Sequence, residues 1–105
     1  MSKRLAYLEK VTREGSTDPF PWYCLAIEYR NAERWDESLQ TFTTLRTQHA
    51  DYVAAYLMCG QMLEKMGRKD DAREWLVAGI GVAKKKHDGH AQSELESALG
   101  ALGAD

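Results

Sequence analysis

The chain has 105 residues, of which 44% are hydrophobic and 29% are charged, and its formal net charge is −2. This length allows one domain with a modest core. The nearly neutral charge, without a broad basic field, argues against nucleic acid or an anionic membrane as a partner. The longest apolar run, residues 52–60, is far shorter than the roughly 20 residues of a membrane span. Because no secretory signal is visible either, we expect a cytoplasmic protein.

The spacing of apolar side chains predicts helices along the whole chain. The first helix is amphipathic, and the fifth begins with acidic residues and ends with lysines, which complements the helix dipole. The six predicted helices cover residues 2–14, about 20–33, 35 to near 49, 53–66, 69 or 70 to 86, and 88–103.

Polar residues in front of these helices are expected to cap their free amide groups. Ser2 is the possible cap of the first helix, and Asp18 caps the second, whose first turn accommodates Pro19. Asp36 is the expected cap of the third helix and Asp51 of the fourth.

One pattern of residue sizes occurs twice, 34 residues apart. Small residues at fixed positions let two helices approach closely, while rings and bulky residues fill the gaps. Gly67 lies between two helices, where a left-handed backbone ends the first of them at little cost. The aligned pairs are Trp22 and Tyr56, Leu25 and Cys59, Ala26 and Gly60, Tyr29 and Leu63, Ser38 and Ala72, Phe42 and Leu76, and Leu45 and Gly79.

This pattern resembles the tetratricopeptide repeat. The resemblance implies an all-α, right-handed solenoid of about six antiparallel helices, with two full repeats plus a capping half-repeat at each end. The end of the chain, from Gly79 onward, is also similar to short bacterial proteins of this class, which implies a small cytoplasmic adaptor. The expected single domain, 1–105, divides into an N-terminal capping helix (2–14), repeat 1 (19–52), repeat 2 (53–86) and a C-terminal capping helix (88–103).

The resemblance implies a non-enzymatic module that binds another protein or a peptide segment. In this family the first helix of each repeat lines a concave groove, and in this chain those helices carry apolar residues that repeat packing does not need. Members that grip the C-terminal carboxylate of a chaperone present lysine and asparagine at the groove positions held here by Tyr23, Ile27, Leu57 and Gln61. Carboxylate binding therefore does not carry over, and an apolar helix or extended segment is favoured. The expected partner-binding residues are Phe20, Tyr23, Ile27, Arg30, Asn31, Ala54, Leu57, Met58, Gln61, Glu64 and Lys65.

Self-association is the alternative function, with the groove or an end helix pairing with a second copy of the chain. The stripe formed by Met58, Met62 and Met66 could either contact a partner or fill the core. Methionine adapts to irregular partners, but it also fills cores, and we favour core filling because the fourth helix is central in the predicted stack.

Sites for chemistry are weak by comparison. His87 and His90 could bind a metal, with Asp88 adding an oxygen. Yet structural zinc needs four ligands and catalytic zinc three, no second cluster is visible, and neither cysteine lies near this turn in sequence. Cys24 and Cys59 are expected to be buried apolar residues, and the lysines at 84–86 to form a solvated helix end, with an acidic partner as the alternative. No phosphate-binding loop or catalytic signature is present. We therefore expect no enzyme activity, no metal and no cofactor.

Overall fold

The computed structural model describes residues 2–103, which contain six helices and no strand. All six predicted helices are present, and their ends differ from the predicted ones by at most two residues. The all-α fold class is therefore confirmed. The helices are α1 (Lys3–Arg13), α2 (Pro19–Asn31), α3 (Trp35–Gln48), α4 (Val53–Lys65), α5 (Lys69–Lys85) and α6 (Gly89–Ala101).

The chain divides into two compact units, one up to His49 and one from Ala50 onward. In the first unit α2 packs against both α1 and α3. A buried apolar cluster joins α1 to α2 and contains Leu5, Leu8, Leu25 and Tyr29. Burying one such leucine contributes about 1.5–3 kcal/mol to stability, so this cluster explains why the short helix α1 stays on α2.

The contact between α2 and α3 depends on two small residues of the repeat pattern. Ser38 and Ala26 are both fully buried, and the Ser38 hydroxyl donates a hydrogen bond to the Ala26 carbonyl oxygen at 2.7 Å. Phe42 and Leu45, on the same helix as Ser38, are also fully buried. The predicted small-then-bulky order in α3 is therefore confirmed in the packing.

In the second unit α5 packs against α4 and α6, and two glycines allow this close approach. A Cβ atom added to Gly60 would lie 2.7 Å from Cδ2 of Leu76. A Cβ atom added to Gly79 would lie 2.5 Å from Cβ of Tyr56 and 3.0 Å from Cδ2 of Leu95. Real Cβ atoms do not come so close to other carbons, so these two positions require glycine in the present packing.

The segment before α4 is fixed by side chains from within the second unit. Tyr56 packs on Trp75 with ring centroids 5.8 Å apart and planes inclined by 52°. Its hydroxyl donates a hydrogen bond to the carbonyl oxygen of Ala50, and Nζ of Lys86 donates to that of Asp51 at 3.0 Å. Two consecutive backbone carbonyls thus have side-chain partners.

Four of the described helix ends share one turn geometry with a left-handed residue, which after α1 is Gly15 with φ 84°. Gly67, at the end of α4, has φ 78°, which confirms the predicted conformation. Glu33 after α2 and His87 after α5 occupy the same position with φ 60° and 55°. In each turn the N–H groups of this residue and of the next one bond to the last turn of the helix, which satisfies its free carbonyl groups.

Two of the predicted helix caps are confirmed. The hydroxyl oxygen of Ser2 accepts a hydrogen bond from the N–H of Leu5 at 3.0 Å. A carboxylate oxygen of Asp18 accepts one from the N–H of Phe20 at 3.0 Å. Such caps stabilise a helix by about 1 kcal/mol.

The other two predicted caps are wrong. Helix α3 begins one residue before Asp36, at a backbone cap provided by Arg34, so Asp36 lies within the first turn. Helix α4 begins after Tyr52, one residue later than a cap at Asp51 requires. The start of α3 is set by the preceding turn, which orients Arg34, and Arg34 pairs with Glu37 one turn into the helix.

The expected burial of sulfur-containing residues holds for some positions and not for others. Both cysteines are free thiols, and Cys59 is buried, but Cys24 is only half-buried because it lies at the edge of the α1–α2 cluster. Met62 is buried, whereas Met58 and Met66 are half-buried. Core filling therefore describes Met62 and only part of the surface of the other two methionines.

Candidate functional site

Five of the predicted partner-binding residues lie one turn apart along one side of α2. None of them is buried, and Phe20 is 59% exposed. The apolar members lie in the first half of the helix, and in the second half the guanidinium of Arg30 donates a hydrogen bond to the side-chain oxygen of Asn31 at 3.3 Å. We call this set the α2 face: Phe20, Tyr23, Ile27, Arg30 and Asn31.

The chemistry of the α2 face is mainly that of its aromatic rings. Burial raises the pKa of the Tyr23 hydroxyl above its ordinary value, and the positive charge of Arg30 opposes this shift. Tyr23 therefore stays neutral at physiological pH. A half-buried neutral phenol offers a partner both an apolar ring and a hydrogen-bonding group.

The remaining six predicted residues lie along one side of α4, in the second unit. None of these is buried: Leu57 and Met58 are half-buried, and the other four are exposed. The opposite side of α4 contains Tyr56, Cys59 and Leu63, all of which are buried. We call these six predicted residues the α4 face: Ala54, Leu57, Met58, Gln61, Glu64 and Lys65.

The two faces share one order of side chains. Each begins with apolar residues in the first half of its helix and ends with polar or charged residues in the second half. Such a surface suits a segment whose apolar side chains dock at one end and whose polar groups bind at the other. The structure thus keeps every predicted residue accessible, within the unit to which it belongs.

A feature that the sequence analysis missed lies on the opposite side of α2. Trp22, Leu25 and Tyr29 form the floor of two adjoining cavities of about 200 and 220 Å³. The first cavity is walled by α3 and includes Thr41, and the second is walled by α1 and includes Thr12. We call these two cavities together the α2 recess.

A chain of polar contacts crosses the α2 recess at Tyr29. The Tyr29 hydroxyl donates a hydrogen bond to a carboxylate oxygen of Glu9 on α1. The guanidinium of Arg34 lies 4.8 Å from the centre of the Tyr29 ring and makes two contacts of 2.6 and 2.7 Å with the carboxylate of Glu37. Burial, followed by the bond to Glu9, raises the pKa of Tyr29 to about 12.

Another cavity, of about 390 Å³, lies at the other end of the first unit. It is bordered by Leu5 of α1 and by Glu28 and Asn31 of α2, so it adjoins the α2 face at Asn31. Nε of Arg4 lies 3.2 Å from a carboxylate oxygen of Glu28. The ion pair is largely exposed, so we assign it little stabilising energy.

The histidines and lysines singled out in the sequence lie on exposed turns and helix ends. His90 forms a contact of 3.0 Å with Glu94 one turn further along α6, and His87 occupies the turn before that helix. Within residues 2–103, no three histidine, cysteine or acidic side chains come together in a metal-binding arrangement. Lys84 and Lys85 are exposed. None of the helices in this part of the chain is long and apolar enough to cross a membrane.

No protein-family model matches the chain, and no curated protein sequence does so. Nineteen chains of solved structures do match. A tetratricopeptide repeat domain protein from Salinibacter ruber is 33% identical, with a TM-score of 0.76 for its solution NMR structure over 81% of this chain and 86% of that one. Its crystal structure gives 33% identity and a TM-score of 0.75 over 81% of this chain and 94% of that one.

A protein from Bordetella parapertussis has a TM-score of 0.81 over 97% of this chain and 89% of that one. Its 22% identity shows a shared fold only. The Salinibacter ruber structures go further, because their identity of 33% extends over 81% of this chain. The chain therefore belongs to the tetratricopeptide repeat family.

Proposed function

We propose that the protein is a non-enzymatic interaction module that binds a segment of a partner protein through an exposed helix face, the α2 face in the first unit or the α4 face in the second. The exposure of Phe20 carries this proposal, since a large aromatic side chain left 59% accessible beside two half-buried apolar residues is a surface that a partner can cover. Membership of a repeat family whose members present such surfaces supports it further.

The order of side chains on each face favours an amphipathic helix or an extended segment as the ligand. Its apolar residues would bury Tyr23 and Ile27 on α2, or Leu57 and Met58 on α4, while polar groups would meet the second half of the helix. Free thiols and bacterial relatives support a role as a cytoplasmic adaptor in a bacterial assembly.

A displayed library of random peptides tests this function without knowledge of the natural partner. Peptides that bind the wild-type protein should lose at least tenfold in affinity for Tyr23→Glu or Leu57→Glu, because each change places a charge in an apolar contact. Val77→Glu is the matched control, since Val77 is an apolar side chain of α5 that is 53% exposed. Selected peptides should bind this control like the wild type.

The Tyr23→Glu, Leu57→Glu double variant shows whether one peptide uses both faces, since shared contacts make the two losses non-additive. Equal binding by wild type and both single variants, with unchanged circular dichroism, would remove these faces from the proposal.

Self-association is a second candidate, favoured by the exposure of Tyr7 on the outer side of the end helix α1. Tyr7 is 64% exposed, the most of the large apolar side chains noted in the structure. Light scattering over a concentration series should then give a dimer or larger species that Tyr7→Glu dissociates. A wild-type monomer at all concentrations would exclude this candidate.

A further inference from the structure

The α2 recess marks a place where the two repeats differ. Position 41 in repeat 1 corresponds to position 75 in repeat 2, because the repeat length is 34 residues. Repeat 2 has Trp75 there, only 7% exposed and packed on Tyr56. Repeat 1 has Thr41, and the corresponding ring of its own α2 is Trp22. The cavity of about 200 Å³ beside Trp22 thus lies where repeat 2 places an indole ring.

The floor of the recess is suited to an aromatic ring. Leu25 and Tyr29 are buried, and Trp22 is half-buried with its indole N–H already bonded to the carbonyl oxygen of Ser16 at 3.0 Å. A ring entering from outside would therefore meet the indole face of Trp22 between polar walls and leave no donor of Trp22 unpaired. Since Arg34 already covers the ring of Tyr29, the space available to a ligand is at the Trp22 end.

The walls of the recess carry hydrogen-bond acceptors and charged groups of both signs. The cavity on the α3 side includes Gln40 and Glu37, which pairs with Arg34. The cavity on the α1 side includes Arg13 and Glu9, which accepts from the Tyr29 hydroxyl. The hydroxyls of Thr12 and Thr41 donate to backbone carbonyls of their own helices, at 2.8 Å in each case. A carboxylate accepts more than one hydrogen bond, so Glu9 and Glu37 can still accept from a ring that bears an N–H donor.

We propose that the α2 recess is a second binding site, which receives a tryptophan side chain of a partner protein in the place that Trp75 occupies in repeat 2. The ring packs on Trp22 in a tilted arrangement, and its N–H donates to an acceptor on the walls. The site lies on the opposite side of α2 from the α2 face. It therefore goes beyond the function proposed above, and either site can fail without the other.

Indole itself is the first probe. Its binding is measured through the backbone and tryptophan side-chain N–H signals of the protein in ¹H–¹⁵N NMR spectra. Signals of Trp22, Thr41 and Thr44 should shift in a saturable way, with a Kd on the order of 1 mM, as expected for so small a ligand. Benzofuran has nearly the same shape but no N–H, so it should bind up to about tenfold more weakly.

Two variants locate the ligand. Thr41→Trp fills the recess with the protein's own indole, and the saturable shifts should disappear. Thr43→Trp is the matched control, because Thr43 lies on the exposed side of α3 and the change leaves the recess open. Thr41→Leu adds less volume and should weaken indole binding without abolishing it, which keeps the test valid if Thr41→Trp folds poorly.

The proposal is overturned if indole causes no saturable shift in the wild type. It is also overturned if the shifts are equally large in Thr41→Trp and Thr43→Trp. Tyr23→Glu should not affect indole binding, so that result separates this site from the peptide-binding faces.

Discussion

The clearest test of the packing compares the same substitution at two glycines of α5, Gly79→Ala and Gly81→Ala. Alanine is favoured over glycine in a helix interior by about 1 kcal/mol, so both changes gain this intrinsic term. At Gly81 the added Cβ would have no heavy atom within 4 Å. We therefore expect Gly81→Ala to stabilise the protein by about 1 kcal/mol.

At Gly79 the added methyl group would lie 2.5 Å from Cβ of Tyr56. This atom is bound directly to the α4 backbone, so a change of rotamer cannot move it, and α4 and α5 must separate instead. Overpacking of this kind costs about 3 kcal/mol at the upper end of its usual range. After the intrinsic gain of about 1 kcal/mol, Gly79→Ala should destabilise the protein by about 2 kcal/mol.

Urea and thermal unfolding followed by circular dichroism measure the difference, which should be about 3 kcal/mol between the two variants. In a domain of this size that corresponds to roughly 12–24 °C in melting temperature. The two variants differ only in the position of one methyl group on the same helix, so helix propensity cancels in the comparison. Equal stability of Gly79→Ala and Gly81→Ala would refute the close approach of α5 to Tyr56.

Glu33→Gly and His87→Gly should each raise the free energy of unfolding by about 0.5 kcal/mol, because glycine adopts a positive φ without steric cost but loses more entropy on folding. A decrease in either case would show that the side chain makes a contact worth more than the strain. Ser38→Ala should cost about 1 kcal/mol by removing a buried hydrogen bond to the α2 backbone, whereas Thr43→Ala, at an exposed hydroxyl, should change stability by less than about 0.5 kcal/mol. Similar losses for the two variants would contradict this assignment. The pKa of Tyr29, raised from 10.0 to about 12, implies a contribution that is complete below pH 10 and is lost as the pH rises through 12. Unfolding midpoints measured from pH 9 to 12 should therefore fall less steeply in Tyr29→Phe than in the wild type, and parallel curves would refute this contribution.

The helices and their packing partners were predictable because close contact between helices dictates residue size. Ala26 and Ser38 in the first unit, and Gly60 and Ala72 in the second, are small for the reason that the 34-residue pattern suggested. Gly79 is aligned with the bulky Leu45, so the pattern did not predict its close approach to Tyr56. Helix starts were less predictable. An acidic residue near a helix start can lie before the helix or in its first turn, and the backbone turn, which the side-chain pattern does not contain, decides between the two. Asp36 fails as a cap for this reason.

The α2 recess was missed because it results from a single small side chain, Thr41, at a position where repeat 2 has a tryptophan. A threonine in a helix attracts no attention by itself, and Thr41 is informative only beside Trp75, 34 residues later. The partner-binding residues were chosen as those not required for packing, and their exposure agrees with that choice, but only binding experiments decide whether a partner uses Tyr23 or Leu57.

The tryptophans are distributed so that each unit has its own optical reporter. Trp22 and Trp35 belong to the first unit, and Trp75 belongs to the second, where Tyr56 lies 5.8 Å away as an energy donor. Replacing the first two by phenylalanine leaves emission that originates from the second unit alone. Tryptophan fluorescence can therefore show which unit melts first.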